Sequence, residues 1–594
     1  MKYKKITLIL ISLFSLTVFA CQKAKDEESS SFISSITSSE TSESSEISSP
    51  DISSSTSDSE DESSESTIYE KDEEGFYILE DNYFSYTENE SDTKTRNKVY
   101  IADKVEDQPS YNQMRLYIGD RQVPVYNVKT NFSQIWNAEA PNRINNAVAS
   151  FGLEGKVELK LQLSFNTAKH LVIRPLNKNV PYTYDVNRRV ISFTISSSGQ
   201  YTIDLTNDRT LHLFVNDMSA YTNPFTDAMV FQRGIHNKSN DNRINSNNEI
   251  RLSSGQKVYI EADAFIQAKF IASSSNNIQI VGPGYVDGAV FTRNANTGQV
   301  LVPIEFNYCS NIALKDFAVI DPAGWTFNMY FCNDFTIDNC KIISSRSNGD
   351  GISLQSCNRA AVTNCFVRSW DDSLVVKNYP RWDNRNVEGS TTDILFDNCV
   401  LWTDLAQSME VGFECVGQTM SNIVFQNITV LHNYHKPVFS IHNGNNANIN
   451  GVHFKNVTVE DASMGKGDGK NTLVELTVLY SSAWSDQHKV TALGKVDNVE
   501  LNNIKVLDGK ANPEIKVSGC IDPRSGYSQE IHYVNNVNFI DFELYGNRID
   551  KSYTNYHEEK ATNVSFTNDK DIVTGHVFTV NDTSSYGSNI DFYH

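Results

Sequence analysis

No long amphipathic helical pattern runs anywhere through the 594 residues, which argues against a helical bundle or a doubly wound α/β fold. Nor is there an apolar run that reads as a membrane span. The one candidate, residues 6–20, is too short and has the flanks of an export signal, with Lys2, Lys4 and Lys5 ahead of it. Basic residues are the minority charge, 51 Lys and Arg against 73 Asp and Glu for a formal net charge of −22, and this disfavours nucleic acid as a partner. Metal-type CxxC spacing is missing, so no metal centre is expected from the cysteines.

The export signal, residues 1–20, ends in "TVFAC", similar to a bacterial lipobox with Cys21 as the acylated first residue of the mature chain. The expectation is an extracytoplasmic, lipid-anchored protein of the cell surface that touches the membrane only through that anchor. Residues 21–74 are Ser, Glu, Asp and Thr with few apolar side chains, and such a stretch cannot bury enough surface to fold. This tether holds −13 of the net charge, so most of the acidity is self-repulsion along a linker.

The rest of the chain is rich in β-forming residues, and an all-β protein of two folded parts is predicted. Residues 75–230 contain short alternating stretches such as "KVELKLQLSF", "VISFTI" and "YTIDLT" between Asn, Gly and Pro turns, the pattern of an antiparallel β-sandwich. The second part spans 231–594, and between roughly 277 and 569 one phrase returns: "NIALKDF" from Asn311, "DFTIDNC" from Asp334, "RAAVTNC" from Arg359, "DILFDNC" from Asp393, "NIVFQNI" from Asn422. Repeats at this spacing mean stacked coils, here a right-handed parallel β-helix with Asn ladders in its turns, which resembles the pectin-lyase-like solenoids. Cys340, Cys365 and Cys399 share one position of the repeat, and Cys309, Cys332 and Cys357 another, a register that favours reduced core ladders over stacked disulfides.

Asp350 of "SNGDGISL" lies 16 residues past its repeat start, and Asp371 and Asp372 of "SWDDSLVV" lie 12 and 13 past theirs. Stacking therefore brings three carboxylates together on neighbouring coils. Acetal cleavage needs one carboxyl protonated to assist the leaving oxygen and another ionised to activate water or attack, and crowded like charges separate those states. Successive strand residues face opposite ways, so Asp371 and Asp372 sit at a bend, or one of them is buried and hydrogen-bonded. Asn348 beside Asp350, Lys377, Glu410, His435 and His442 are candidate sugar contacts, and Trp325 and Trp370 candidate stacking platforms. Glu410, 17 residues past its repeat start, is expected beside the row of Asp350.

"NGDGI" followed by "DD" resembles the Asn-x-Asp and Asp-Asp motifs of the polygalacturonases, glycoside hydrolase family 28, and of the related dextranase and isopullulanase family 49. The sandwich before the helix, with "LVIRP", "YTIDL", "MEVGFE" and "GCIDPRSGYSQEIHYV", is similar to the second. The resemblance implies an inverting hydrolase with Asp371 as general acid and Asp350 and Asp372 activating water. The Gly-His-Gly and Arg-x-Lys motifs of the polygalacturonases have no match here. The reading is therefore an inverting glycosidase on an α-linked polysaccharide, a dextran-like neutral glucan ahead of pectin, with no cofactor or metal, acting as a monomer. The rivals are a pectate-type lyase, which requires calcium, and a non-catalytic carbohydrate-binding or adhesion helix.

Overall fold

The computed structural model describes residues 70–568 except 80–82, 85–96, 134–141, 294–300, 381–387, 465–470, 483–484, 486–491 and 528. The export signal, Cys21 and nearly all of the tether lie outside the described residues. Among those described there are β-strands and two short 3-10 turns but no α-helix.

The N-terminal part is two sheets face to face. One holds six strands around the long Ile144–Glu154, and the other five, with Val157–Leu163 at its centre. Alternation along the strands sends Leu159, Leu161, Phe193, Phe151, Ile203 and Leu211 into the shared core, all but completely buried. Pairing is antiparallel with one exception, Ile144–Glu154 against Arg209–Asn216. This corrects the expectation of a purely antiparallel sandwich. A parallel pair needs a long crossover, and the strands lying between these two in sequence supply it.

The solenoid begins at Met229–Phe231 and its last described strand is Ala561–Thr567. Its coils pair parallel in a sheet of 21 strands that folds round two walls, and in a separate 11-stranded sheet that forms the third. Of the residues that open the repeated phrase, Asn277, Asn311, Asp334, Arg359, Asp393, Asn422, Asn498, Asn536 and Asn563 hold φ between 54° and 57°, and Gly451 holds 78°. Each is a corner where the chain must turn left-handed, which Asn and Asp tolerate better than other side chains. Their amides stack from coil to coil, Asn422 Nδ2 on Asp393 Oδ1 at 2.6 Å and Asn563 Nδ2 on Asn536 Oδ1 at 3.0 Å. A second ladder joins Asn398 to Asn364 at 2.8 Å and Asn456 to Asn427 at 3.1 Å. Cys309, Cys332, Cys357, Cys340, Cys365 and Cys399 are buried free thiols, and Cys332 Sγ donates to the Phe306 carbonyl at 3.4 Å.

The sandwich packs on one wall of the solenoid. Tyr126, Val128, Val148 and Phe214 meet Phe265, Tyr285, Ile343, Phe366 and Trp402 in a continuous apolar cluster. Within it Arg368 and Asp404, both fully buried, pair at 3.2 Å, and Trp402 Nε1 donates to the same carboxylate at 2.9 Å. A buried ion pair of this kind persists only because its remaining polar atoms are also met.

Candidate active site

The site lies on the 11-stranded wall, whose strands near it are β1 (Phe327–Tyr330), β2 (Ile352–Gln355), β3 (Leu374–Asn378), β4 (Met409–Cys415), β5 (Phe439–Asn443), β6 (Thr472–Val478) and β7 (Glu514–Ser518). Asp350 stands just before β2, and Asp371 and Asp372 just before β3. The Gly351 N–H donates to the Asp372 carbonyl at 2.8 Å, so the two acidic turns are adjacent rungs of one edge. The Asp-Asp pair occupies a bend, not the strand, which is how both side chains remain partly exposed while Asp350 is 2% exposed. A hydroxyl ladder fixes this bend from beneath. Ser369 Oγ donates to the Asp371 carbonyl at 2.7 Å, and Ser369, Ser373, Thr403 and Ser408 follow hand to hand at 2.6–2.8 Å.

Among the described residues, one cation pairs with the group. Lys377 Nζ, projecting from β3, lies 3.7 Å from Asp350, 3.9 Å from Asp372 and 3.8 Å from Glu414 on β4. Trp325 closes over it, with its ring centroid 5.2 Å from the ammonium. Burial and the Asp371 charge push Asp372 up to about 7, against the pull of Lys377. Asp350 is pushed well above the usual carboxylate range by burial and then by Asp371, again with Lys377 opposing. Lys377 is shifted upward: burial works against its charge, but Glu414, Asp350 and Asp372 outweigh it. The cluster therefore keeps a proton close to neutral pH, and that proton belongs to the group as a whole. An acid and a base at one pH is the chemical requirement for hydrolysing an acetal.

Residues 234–465, which contain all of these groups, match the family described as glycosyl hydrolases family 28. The chain is a glycosidase. Among solved structures this glycosidase is similar to Dex49A from Penicillium minioluteum, at 13% identity and a TM-score of 0.51 over 77% of this chain and 96% of that one. A family 28 exopolygalacturonase from Yersinia enterocolitica is 13% identical with a TM-score of 0.39, over 69% and 96% of the two chains. At such identities the likeness to Dex49A speaks for the fold alone. No curated protein sequence matches the chain.

The other candidates divide. Glu410 and His442 of the glycosidase are locked together, with His442 Nδ1 2.9 Å from Glu410 Oε1 and its Nε2 3.2 Å from Glu475 Oε2 on β6. Lys516 of β7 continues the chain to Glu475 at 2.9 Å. Glu410 lies in the row Ser353–Val375–Glu410–Ser440, not beside Asp350 as the repeat offset suggested, because the turns entering each strand differ in length. Trp370 offers no platform: it is fully buried, and its indole N–H donates to the Ser133 carbonyl at 2.9 Å. Asn348 turns left-handed at φ 52° and its Oδ1 accepts from Arg293 Nη2 at 2.5 Å, while His435 is 5% exposed. Sequence reasoning missed Glu414, although it closes the phrase "MEVGFE" with Glu410 in it. It also missed the Gln407 N–H that holds Asp372 Oδ1 at 3.1 Å, a backbone donor with no signature of its own.

His442 carries a stability signature. Burial opposes its charge, but Glu410 and Glu475 raise it from 6.5 to about 10. A raised histidine stabilises fully below its unfolded value and ceases to do so as pH climbs through the folded one. Replacing His442→Asn is expected to lower stability most below about pH 6.5 and hardly at all above about pH 10. Urea denaturation of both proteins across that window checks the trend.

Proposed function

We propose that this glycosidase is an inverting hydrolase of an α-linked, neutral polysaccharide, with a dextran-like glucan as the first choice. The observation that carries the reading is the meeting of Asp350, Asp371 and Asp372 around Lys377 at one edge of one wall. Asp371 delivers the proton that the cluster shares to the glycosidic oxygen. Asp350 and Asp372, flanking the ammonium from adjacent coils, hold and deprotonate the water that attacks the opposite face of the sugar. Trp325, partly exposed and braced by Lys377, is the surface on which a sugar ring stacks.

A neutral substrate follows from charge. Among the described residues along the floor of the site, the carboxylates of Asp350, Asp371, Asp372, Glu410, Glu414 and Glu475 outnumber the cations of Lys377, His442 and Lys516. A polyuronate brought there would meet net repulsion. We further propose that acylated Cys21 holds a monomeric enzyme at the cell surface, with the acidic tether as its reach.

The test is a panel of dextran, pullulan and polygalacturonate, with reducing ends counted and the first-formed anomer followed by NMR. Dextran is expected to be cut with the α-linkage giving a β-product. An α-product would overturn inversion. Calcium-dependent release of unsaturated, ultraviolet-absorbing products would replace the hydrolase with a lyase. Binding without any release would leave only an adhesion module.

A further inference from the structure

We propose that the N-terminal sandwich is part of the catalytic apparatus, because Asn131 and Ser133 reach across the interface and position the two acidic turns. The inference rests on reading Asp350, Asp371 and Asp372 as the reacting groups. Trp370 precedes Asp371 directly and is wholly enclosed, and its N–H ends on the Ser133 carbonyl at 2.9 Å. The Ser133 N–H donates to Asn131 Oδ1 at 2.9 Å, and Asn131 Nδ2, itself buried, donates to the Ser345 carbonyl at 3.2 Å. Next to Ser345, the Ser344 hydroxyl donates to the Gly349 carbonyl at 2.5 Å and accepts from the backbone N–H of Trp370 at 3.3 Å. The circuit is closed: Ser344 joins the turn of Asp371 and Asp372 to that of Asp350 directly, and the sandwich braces the same two turns by a second path through Ser133 and Asn131. One coil upstream Arg143 of the sandwich grips Asp321 at 2.7 Å, and Asp321 also receives Ser345 Oγ at 3.1 Å.

These bonds are not needed merely to hold the two parts together. The apolar cluster around Phe214, Phe366 and Trp402 and the buried Arg368–Asp404 pair do that alongside the circuit, with Phe132 packed against Trp402 and Arg368. What the circuit adds is a fixed spacing between proton donor and water-holding pair, and misplacement of a reacting group by about 1 Å costs on the order of 10²-fold in rate.

Trp370→Phe keeps the buried ring and removes its N–H, and Asn131→Ala cuts the other side of the circuit. Both are compared with Phe214→Leu, which loosens the interface away from the turns, on the panel polysaccharide that the wild type cleaves fastest. Trp370→Phe and Asn131→Ala are each expected to lose kcat by roughly 10- to 100-fold with KM within about two-fold. Phe214→Leu is expected to lower the melting temperature and keep kcat. Full kcat in both circuit variants, or a loss that follows only the unfolded fraction, overturns the proposal. Asp371→Asn separates the two failures. If it stays active, the reading of the carboxylates is wrong; if it is dead while Trp370→Phe runs at full rate, the circuit alone is wrong.

Discussion

Asp350→Asn and Asp372→Asn are each expected to reduce hydrolysis by about 10³-fold or more and yet to melt higher than the wild type at pH 8. The rate is lost because an amide neither takes a proton from water nor holds one for transfer. The stability gain comes from the same crowding that makes the site work. Asp372 is raised to about 7 by burial and by Asp371, so the folded state prefers its protonated form. The sign follows from linkage: a carboxyl with a raised folded value costs nothing below its unfolded value of 3.8. The cost grows as pH rises past that point and is complete above about 7. Each pH unit of displacement is about 1.4 kcal/mol, so neutralising one carboxyl recovers on the order of a few kcal/mol at pH 8 and almost nothing near pH 4. Lys377 is not orphaned by either change, because two of its three carboxylate partners remain. Paired melts at the two pH values, with activity on the cleaved polysaccharide, check both halves. A variant that is inactive and less stable at pH 8 would mean that the aspartates are chiefly structural.

The architecture was legible because every coil must solve the same two local problems. It needs a left-handed corner, and it needs a side chain of one size against its neighbours above and below. Asn277, Asn311 and Asn422 advertise the first, and the shared positions of Cys340, Cys365 and Cys399 the second. The three aspartates were legible for a related reason: each stands in the turn by which its coil enters the same wall. Register along that wall was not legible. A repeat offset counts residues from the corner, while the pairing partner depends on the length of the turn before each strand, which is why Glu410 fell into the row of Ser353 and Val375. The fate of Trp370 was beyond reach for a different reason. Its partner Ser133 is 237 residues away in another fold unit, and no periodicity in the solenoid encodes a bond to the sandwich.

Lys377→Met is the sharpest test of the electrostatics, because one methylene-rich side chain of similar length removes the only cation that Asp350, Asp372 and Glu414 share in these ion pairs. Without it the pull that restrains Asp350 and Asp372 is gone, and both carboxyls move higher still. The water-activating form then appears only at more alkaline pH. The acid limb of the kcat/KM profile is expected to move upward by about one unit or more, and activity near neutral pH to fall by roughly 10²-fold. Stability should fall too, by about 3–5 kcal/mol at pH 8, as expected when one partner of a buried ionic group is removed. That deficit should shrink toward pH 4, where the carboxyls carry their protons in either protein. Lys377→Arg distinguishes charge from shape: it restores the stability at pH 8 but not the full rate, since a planar guanidinium cannot sit between two turns that approach a compact ammonium. An unmoved pH profile in Lys377→Met, with rate lost through KM alone, would instead make Lys377 a sugar-binding residue and leave the proton affinities of the aspartates to burial and to one another.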